Sequence, residues 1–351
     1  MTVDKGIQIK NIYYMLSYAF QILRQDNYEQ ISTESFENIQ DMFAAILGKG
    51  VSKQLKQGLY REYVEYSDNL STLRGKLNIQ ETIKNKISQN RKLYCEFDDL
   101  SENNLLNGIL KTTMVMLVRH PEVAPERKRL LKKNLLFFND VDEINIQEIH
   151  WQNIRFRRGN QDYRMLINVC NLVLEGMILA TEKGNIKWAT FIDEQRMSRL
   201  YEKFILEYYR YHHPNLAPNA DQIPWILDDG IADFLPVMQT DITLKNSEKI
   251  LIIDAKYYTS TMQTQFNTNT IHSNNLYQIF TYVKNMDMND KRLVSGMLLY
   301  AKTEEKIQPD QIYMMSGNKI SVKTLDLNKE FNLIAAQLEK IVEEHFKEDI
   351  E

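Results

Sequence analysis

Cysteine is almost missing from this chain. Cys95 and Cys170 are the only two in 351 residues, and nothing around them has metal-ligand spacing. Neither a disulfide framework nor a zinc module is expected, and two buried thiols suit a reducing cytoplasm. No apolar run is long enough to span a bilayer. Met1-Thr2-Val3-Asp4-Lys5 lacks the apolar segment of a signal peptide. A cytoplasmic protein with no membrane partner is therefore expected. Seven prolines and twelve glycines argue against long disordered linkers, and no internal repeat is evident. An excess of basic charge is missing too: 43 Lys and Arg face 47 Asp and Glu, for a net charge of −4. A nucleic-acid enzyme with this balance needs local cation clusters or a partner that supplies affinity. A nucleotide-binding loop is also missing. Gly48-Lys49-Gly50-Val51-Ser52 hints at one, but the position of its first glycine holds Phe43.

What is present is the composition of an ordinary globular protein, 43% apolar and 26% charged. At this length two domains are expected. Apolar residues recur at helical spacing from Ile12 to Leu23, and a second helix runs from Phe36 to Leu47, stopped by Gly48. Leu59–Tyr66, Leu73–Ile79 and Leu93–Asp98 read as strands. Ser101 is placed to cap a helix over Leu105–Val118. Arg127–Lys133 is a basic helical run, read as a solvated face. Trp151–Arg164 interleaves aromatics with four arginines; it suits phosphate or partner contact as well as an exposed hairpin tip. A helix follows over Met165–Leu179. The turn-forming stretch Thr181–Lys187 marks the boundary, giving an α+β domain at 1–185 and a second domain at 186–351.

The second domain opens with a helix whose apolar face is Met197, Leu200, Tyr201, Phe204, Ile205 and Tyr208. Glu202 and Glu207 ride it about 140° apart, so only one of them can face any one site. His212-His213 reads as a helix-end pair. A short strand is expected at Ile223–Leu227. Then come two apolar runs, Thr240-Asp241-Ile242-Thr243-Leu244 and Ile250-Leu251-Ile252-Ile253-Asp254-Ala255-Lys256-Tyr257-Tyr258, joined by Asn246-Ser247-Glu248-Lys249. This is a β-hairpin. An even-numbered loop sets Asp241 opposite Asp254, on the same face as Lys256. Two carboxylates gathered this way can hold Mg²⁺, which keeps open positions for water and phosphate oxygens. The lysine can orient a water or stabilise developing negative charge. Beyond lie a polar loop from Thr259 to Asn275, a helix opened by Ser273 or Asn274, a buried strand at Leu293–Tyr300, a hairpin around Ser316-Gly317-Asn318-Lys319, and a final helix at Phe331–Phe346.

Asp254-Ala255-Lys256 resembles the acid-x-lysine motif of the PD-(D/E)xK nucleases, with Asp241 as the first acid. Thr240 stands where those enzymes usually carry proline. The order helix, strand, strand, strand, helix, strand resembles their αβββαβ core, so the second domain is expected to be α/β with a mixed sheet. Gln278-x-x-x-Tyr282 is similar to the glutamine-tyrosine motif of RecB-type nucleases, which implies that both residues help position the metal, the lysine or the DNA. Three segments go further: Asn11–Ala19, Phe97–Asn103, and Glu248–Tyr258 with Asn275–Gln278 resemble the McrC family of nuclease subunits from 5-methylcytosine-directed restriction systems. That resemblance implies a Mg²⁺-dependent endonuclease with Asp241 and Asp254 as ligands, the Ala255 carbonyl as a third, and Lys256 as the catalytic amine. Glu202 resembles the first-helix glutamate of related nucleases, a further ligand. The resemblance also implies double-stranded DNA with modified cytosine as substrate. The implied partner is a McrB-like hexameric AAA+ ring that binds GTP and is stimulated by the N-terminal domain. Two rival readings are a non-catalytic activator of such a GTPase and a stand-alone RecB-like exonuclease.

Overall fold

The computed structural model describes residues 3–4, 7–19, 36, 38–156, 160, 163–178, 194–257, 262–265, 268–302 and 308–346. The chain divides into two compact units, one made of Met1–Met42 with Thr190–Glu351 and the other of Phe43–Ala189. This differs from a single break at 185, because the first residues join the C-terminal half. Strands β1 (Val3–Asp4) and β2 (Ile7–Gln8) lead into helix α1 (Ile9–Ala19). Only Lys10 and Tyr14 of α1 escape full burial, and such a helix must be covered on every side. Its Asn11 amide donates to the carbonyls of Leu327 and Lys329, both at 2.7 Å, and Tyr14 stacks on Phe331 with ring centroids 4.2 Å apart. The rest of the helix expected up to Leu23 lies outside the described residues.

Helix α2 (Ile39–Gln57) passes straight through Gly48 and Gly50, so Gly48 is not a stop signal. A Cβ there would lie 2.9 Å from Leu130 Cδ2; the glycine permits close helix packing. In the Phe43–Ala189 unit, β3 (Glu62–Leu70), β4 (Lys76–Leu77) and β5 (Leu93–Ser101) form an antiparallel sheet in the order β3-β5-β4. The strand expected at Leu73–Ile79 is cut short by helix α3 (Ile79–Ile87), which the sequence reading missed. Asn78 caps it, accepting from the Glu81 N–H at 3.2 Å. Ser101 ends β5, and the cap of α4 (Leu105–Arg119) is Asn104, whose side chain accepts from the Asn107 N–H at 3.2 Å. The basic run forms α5 (Pro125–Leu135). Trp151–Asn153 is a short 3-10 turn, whereas Arg157 and Arg158 of the arginine-aromatic segment lie outside the described residues. Helix α6 (Tyr163–Ile178) is the last described element of the unit.

Helix α7 (Glu194–His212) opens the C-terminal half. The expected strand at Ile223–Leu227 shrinks to β6 (Gln222–Ile223), which pairs with β7 (Met238–Gln239) apart from the main sheet. Pro224 follows immediately and has no N–H to extend a ladder. Two strands of the five-stranded sheet, rather than three, therefore precede the crossover helix: β8 (Ile242–Lys245) and β9 (Lys249–Lys256). The polar stretch expected as loop carries a hairpin, β10 (Met262–Gln265) with β11 (Thr268–Ile271), because its threonines favour extended backbone. Helix α8 (Ser273–Asn289) crosses to β12 (Leu293–Ala301), and β13 (Gln311–Met315) and β14 (Asn318–Leu325) precede α9 (Phe331–Phe346). The sheet order is β13-β14-β12-β9-β8, with parallel pairs at the centre and antiparallel pairs at both edges. The β13–β14 turn has positive φ at Ser316 and Gly317, as two-residue hairpin turns require.

Strand β9 is covered on both faces: Ile250, Leu251, Ile252 and Ile253 are all buried, which explains a nearly unbroken aliphatic run. Gly296 in β12 lets α8 lie close to the sheet, since a Cβ there would sit 2.7 Å from Val283 Cγ2 and 2.9 Å from Ile279 Cγ1. Gly296→Ala is expected to force α8 outward and to cost about 1–3 kcal/mol, as overpacking does. Thermal unfolding of the full chain checks this; an unchanged midpoint would show that α8 has slack at this contact.

Candidate active site

Strands β8 and β9 pair in the register read from the sequence, with Ile242 opposite Ile253 and Thr243 opposite Ile252. The turn is tight: Asn246 N–H donates to Lys249 O at 3.1 Å, and the Asn246 side chain accepts from the N–H groups of Glu248 and Lys249. Continuing that ladder by one residue brings Asp241 to Asp254. The Asp241 carboxylate leans onto β9, where Oδ2 accepts from the Ala255 N–H at 2.9 Å. Thr240 anchors the approach, its Oγ1 accepting from the Asp221 N–H and lying 2.9 Å from Thr243 Oγ1.

Asp254 is 1% exposed. Lys256 Nζ lies 2.9 Å from its Oδ2, yet neither carboxylate oxygen of Asp254 takes part in a well-directed hydrogen bond among the described residues. Lys256 Nζ also donates to Gln278 Oε1 at 3.3 Å, and Gln278 Nε2 donates to the Tyr282 hydroxyl at 2.9 Å. The two α8 residues singled out in the sequence thus form one relay with the lysine. The ammonium can only donate, so it takes the Gln278 amide oxygen and leaves the amide N–H to the Tyr282 hydroxyl.

Helix α7 presents a stripe of Arg199, Glu202, Lys203 and the apolar Leu206, spaced as one helical face. With Ala220, Gln239, Thr240 and Asp241 it lines a cavity of about 380 Å³. Glu202 accepts from Ser198 Oγ at 2.9 Å, while Glu207 pairs with Arg210 at 2.8 Å. Of the two glutamates, Glu202 is the one that shares a cavity with Asp241. It does not complete a three-carboxylate cluster: among the described residues no group of three or more His, Cys, Asp or Glu side chains is placed to hold a metal ion. His212 and His213 are engaged elsewhere, with the Tyr18 hydroxyl at 2.9 Å and with Glu339 at 2.8 Å.

Burial, followed by the charge of Asp241, pushes the Asp254 carboxyl up to about 8. Burial also raises Asp241, against the pull of Lys256 and the Ala255 N–H. Glu202 is raised by burial and by Asp241. The pair of aspartates is therefore short of positive charge.

A family profile described as "McrBC 5-methylcytosine restriction system component" matches residues 3–301. The chain belongs to that McrBC family. It is 28% identical over 349 residues to the Type IV methyl-directed restriction enzyme EcoKMcrBC of Escherichia coli K12, an alignment covering 97% of this chain and 99% of the relative. Its fold is similar to a chain in the assembly of Thermococcus gammatolerans McrB AAA+ hexamers with bound McrC. There the TM-score is 0.53 at 18% identity, covering 95% of this chain and 76% of the other. Within this McrBC-family chain, the sequence reading missed Arg199 and Lys203 as neighbours of Asp241. Both carried a usable signal, since their i, i+4 spacing brackets Glu202.

The raised Asp254 carboxyl fixes a pH dependence. A folded pKa above the unfolded one means that the proton is held more tightly in the folded state, so this contribution is fully present below the ordinary value of 3.8 and lost as pH rises through about 8. In chelator, the unfolding midpoint of the chain is expected to fall over that window more steeply than that of Asp254→Asn. Identical profiles for the two proteins would show that Asp254 is not proton-hungry in the fold.

Proposed function

We propose that this chain is the DNA-cutting subunit of a GTP-dependent, modification-dependent restriction complex, hydrolysing phosphodiester bonds with Mg²⁺. The observation that carries this reading is the buried Asp254 carboxylate: among the described residues it lacks directed hydrogen bonds, and it stands beside a second acid and a lysine. Burying a carboxylate unsatisfied is unfavourable unless a cation answers it. Asp241, Asp254 and the Ala255 carbonyl are the groups assigned to hold the ion, with Glu202 nearby. The missing third carboxylate is no obstacle, since Mg²⁺ commonly uses one or two protein carboxylates and fills its remaining positions with water and phosphate oxygens. Bound there, the ion would polarise the scissile phosphate and acidify a water.

The chain's own side chains do the rest. Lys256, steered by Gln278 and through it by Tyr282, presents an ammonium to orient water or to meet the negative charge that develops on phosphate. Asp254 keeps that ammonium on the carboxylate side. The raised carboxyls mean that loading a cation releases protons.

The partner assigned is a McrB-like hexameric AAA+ ring that binds the GTP, with double-stranded DNA carrying modified cytosine as substrate. The McrB hexamers bound to the archaeal chain of similar fold support this, as do the missing nucleotide loop and the net charge of −4. Engaging and stimulating that GTPase is assigned to the N-terminal region, residues 1–185.

Reconstitution with a McrB-like ring protein from the same source, GTP, Mg²⁺ and plasmid DNA tests the reading. Methylated plasmid is expected to be cut, and chelation to stop the cutting. Asp254→Ala and Lys256→Ala are each expected to slow it by at least about 10²-fold, the scale for losing one preorganised charge-stabilising group, while partner binding persists. Undiminished cutting by either variant would remove this site from the reaction.

A further inference from the structure

We infer that Arg199 and Lys203 of α7 form a phosphate clamp that seats the DNA backbone against the catalytic acids; this rests on the nuclease reading above. The two cations are four residues apart, one turn along the helix, and both line the cavity that Asp241 and Glu202 share. The stripe 199, 202, 203, 206 is the edge of α7 turned to that cavity, while Leu200, Tyr201, Phe204 and Ile205 take the buried side. Arg199 makes no ion pair among the described residues, and the Glu202 carboxylate accepts from the Ser198 hydroxyl instead. A helix-surface salt bridge between Arg199 and Glu202 therefore does not account for the arginine.

Charge balance gives the pair a ligand. The cavity wall holds two acids and two bases. Once a divalent cation sits on the acids, the wall carries net positive charge, which calls for an anion. The anion of a nuclease site is the phosphodiester. Arg offers a planar fork suited to two phosphate oxygens, and Lys a point charge beside it. The opposite wall, Ala220, Gln239 and Thr240, adds no charge. Since the whole chain carries no surplus of positive charge, a local clamp of this kind is where backbone contact can be made.

The test uses the complete complex with GTP, Mg²⁺ and methylated DNA, following single-turnover cleavage at salt concentrations between roughly 50 and 200 mM, the range over which phosphate binding weakens steeply. Arg199→Ala/Lys203→Ala is expected to cut about a hundredfold more slowly, roughly tenfold for each phosphate-binding charge removed. Its plot of log rate against log salt should be shallower by about 2, close to one unit for each phosphate held. Arg199→Lys/Lys203→Arg keeps both charges and is expected to retain most of the rate and the full salt slope. Thermal unfolding of each variant separates a folding defect from loss of the clamp. Cutting by the alanine variant at the unsubstituted rate and slope overturns the clamp while leaving the nuclease reading intact. An equal slowing in the charge-keeping variant also overturns it, since that marks a packing role. Failure of the unsubstituted complex to cut methylated DNA overturns both.

Discussion

A carboxylate placed at the end of a strand buried on both faces is unfavourable unless positive charge reaches it. Asp254 is in that position, and the ammonium of Lys256 answers it only in part: the contact at 2.9 Å is close, yet it is not a directed hydrogen bond. Asp241 then adds a second negative group to the same corner. Paired buried ions stabilise a fold weakly, and hydrophobic side chains of equal size would often do better. On the proposed reading the corner is a site held short of cation, and that reading accounts for a strand that could have been all aliphatic ending in Asp-Ala-Lys.

The surrounding architecture keeps that corner rigid. The four aliphatic residues before Asp254 are locked between layers, so the Asp254–Lys256 segment has little freedom to shift register. Gly296 lets α8 lie close against the sheet, and from that helix Gln278 reaches Lys256. Asn275 at the start of α8 donates to the Tyr300 hydroxyl at 2.9 Å, and Tyr300 lies next to Lys256 across the parallel ladder. The helix is thereby tied at the end nearest the lysine. On α7 the same logic holds, with aromatic residues burying one side and a polar edge left toward Asp241.

The pairing of β8 with β9 was legible in the sequence because its signals are local. A two-residue turn fixes the pairing, strand alternation fixes the face, and both follow from numbering alone. The Gln278–Tyr282 pair was legible as one helical face for the same reason. What escaped depended on a neighbour that the sequence does not place. Gly48 reads as a stop until Leu130 is seen beside it. Asn78 reads as part of a strand until its side chain is seen capping α3. The membership of α1 in the C-terminal unit is invisible too, because Asn11 bonds to carbonyls of Leu327 and Lys329, far along the chain. The Ile223–Leu227 strand failed for a local reason that was available all along, the proline at 224.

On the proposed reading, the electrostatics of the whole chain become part of its control. With 47 acids against 43 bases, the chain has no net positive charge to draw DNA in from a distance, and Asp254, Asp241 and Glu202 are held in a state that favours protons over charge. Neither feature would suit a free-standing enzyme that must capture substrate by itself. Both suit a blade carried by a ring: a tethered site meets DNA at an effective concentration set by the tether rather than by its own affinity. Weak intrinsic attraction is then useful, since it keeps the site off DNA that no ring has selected.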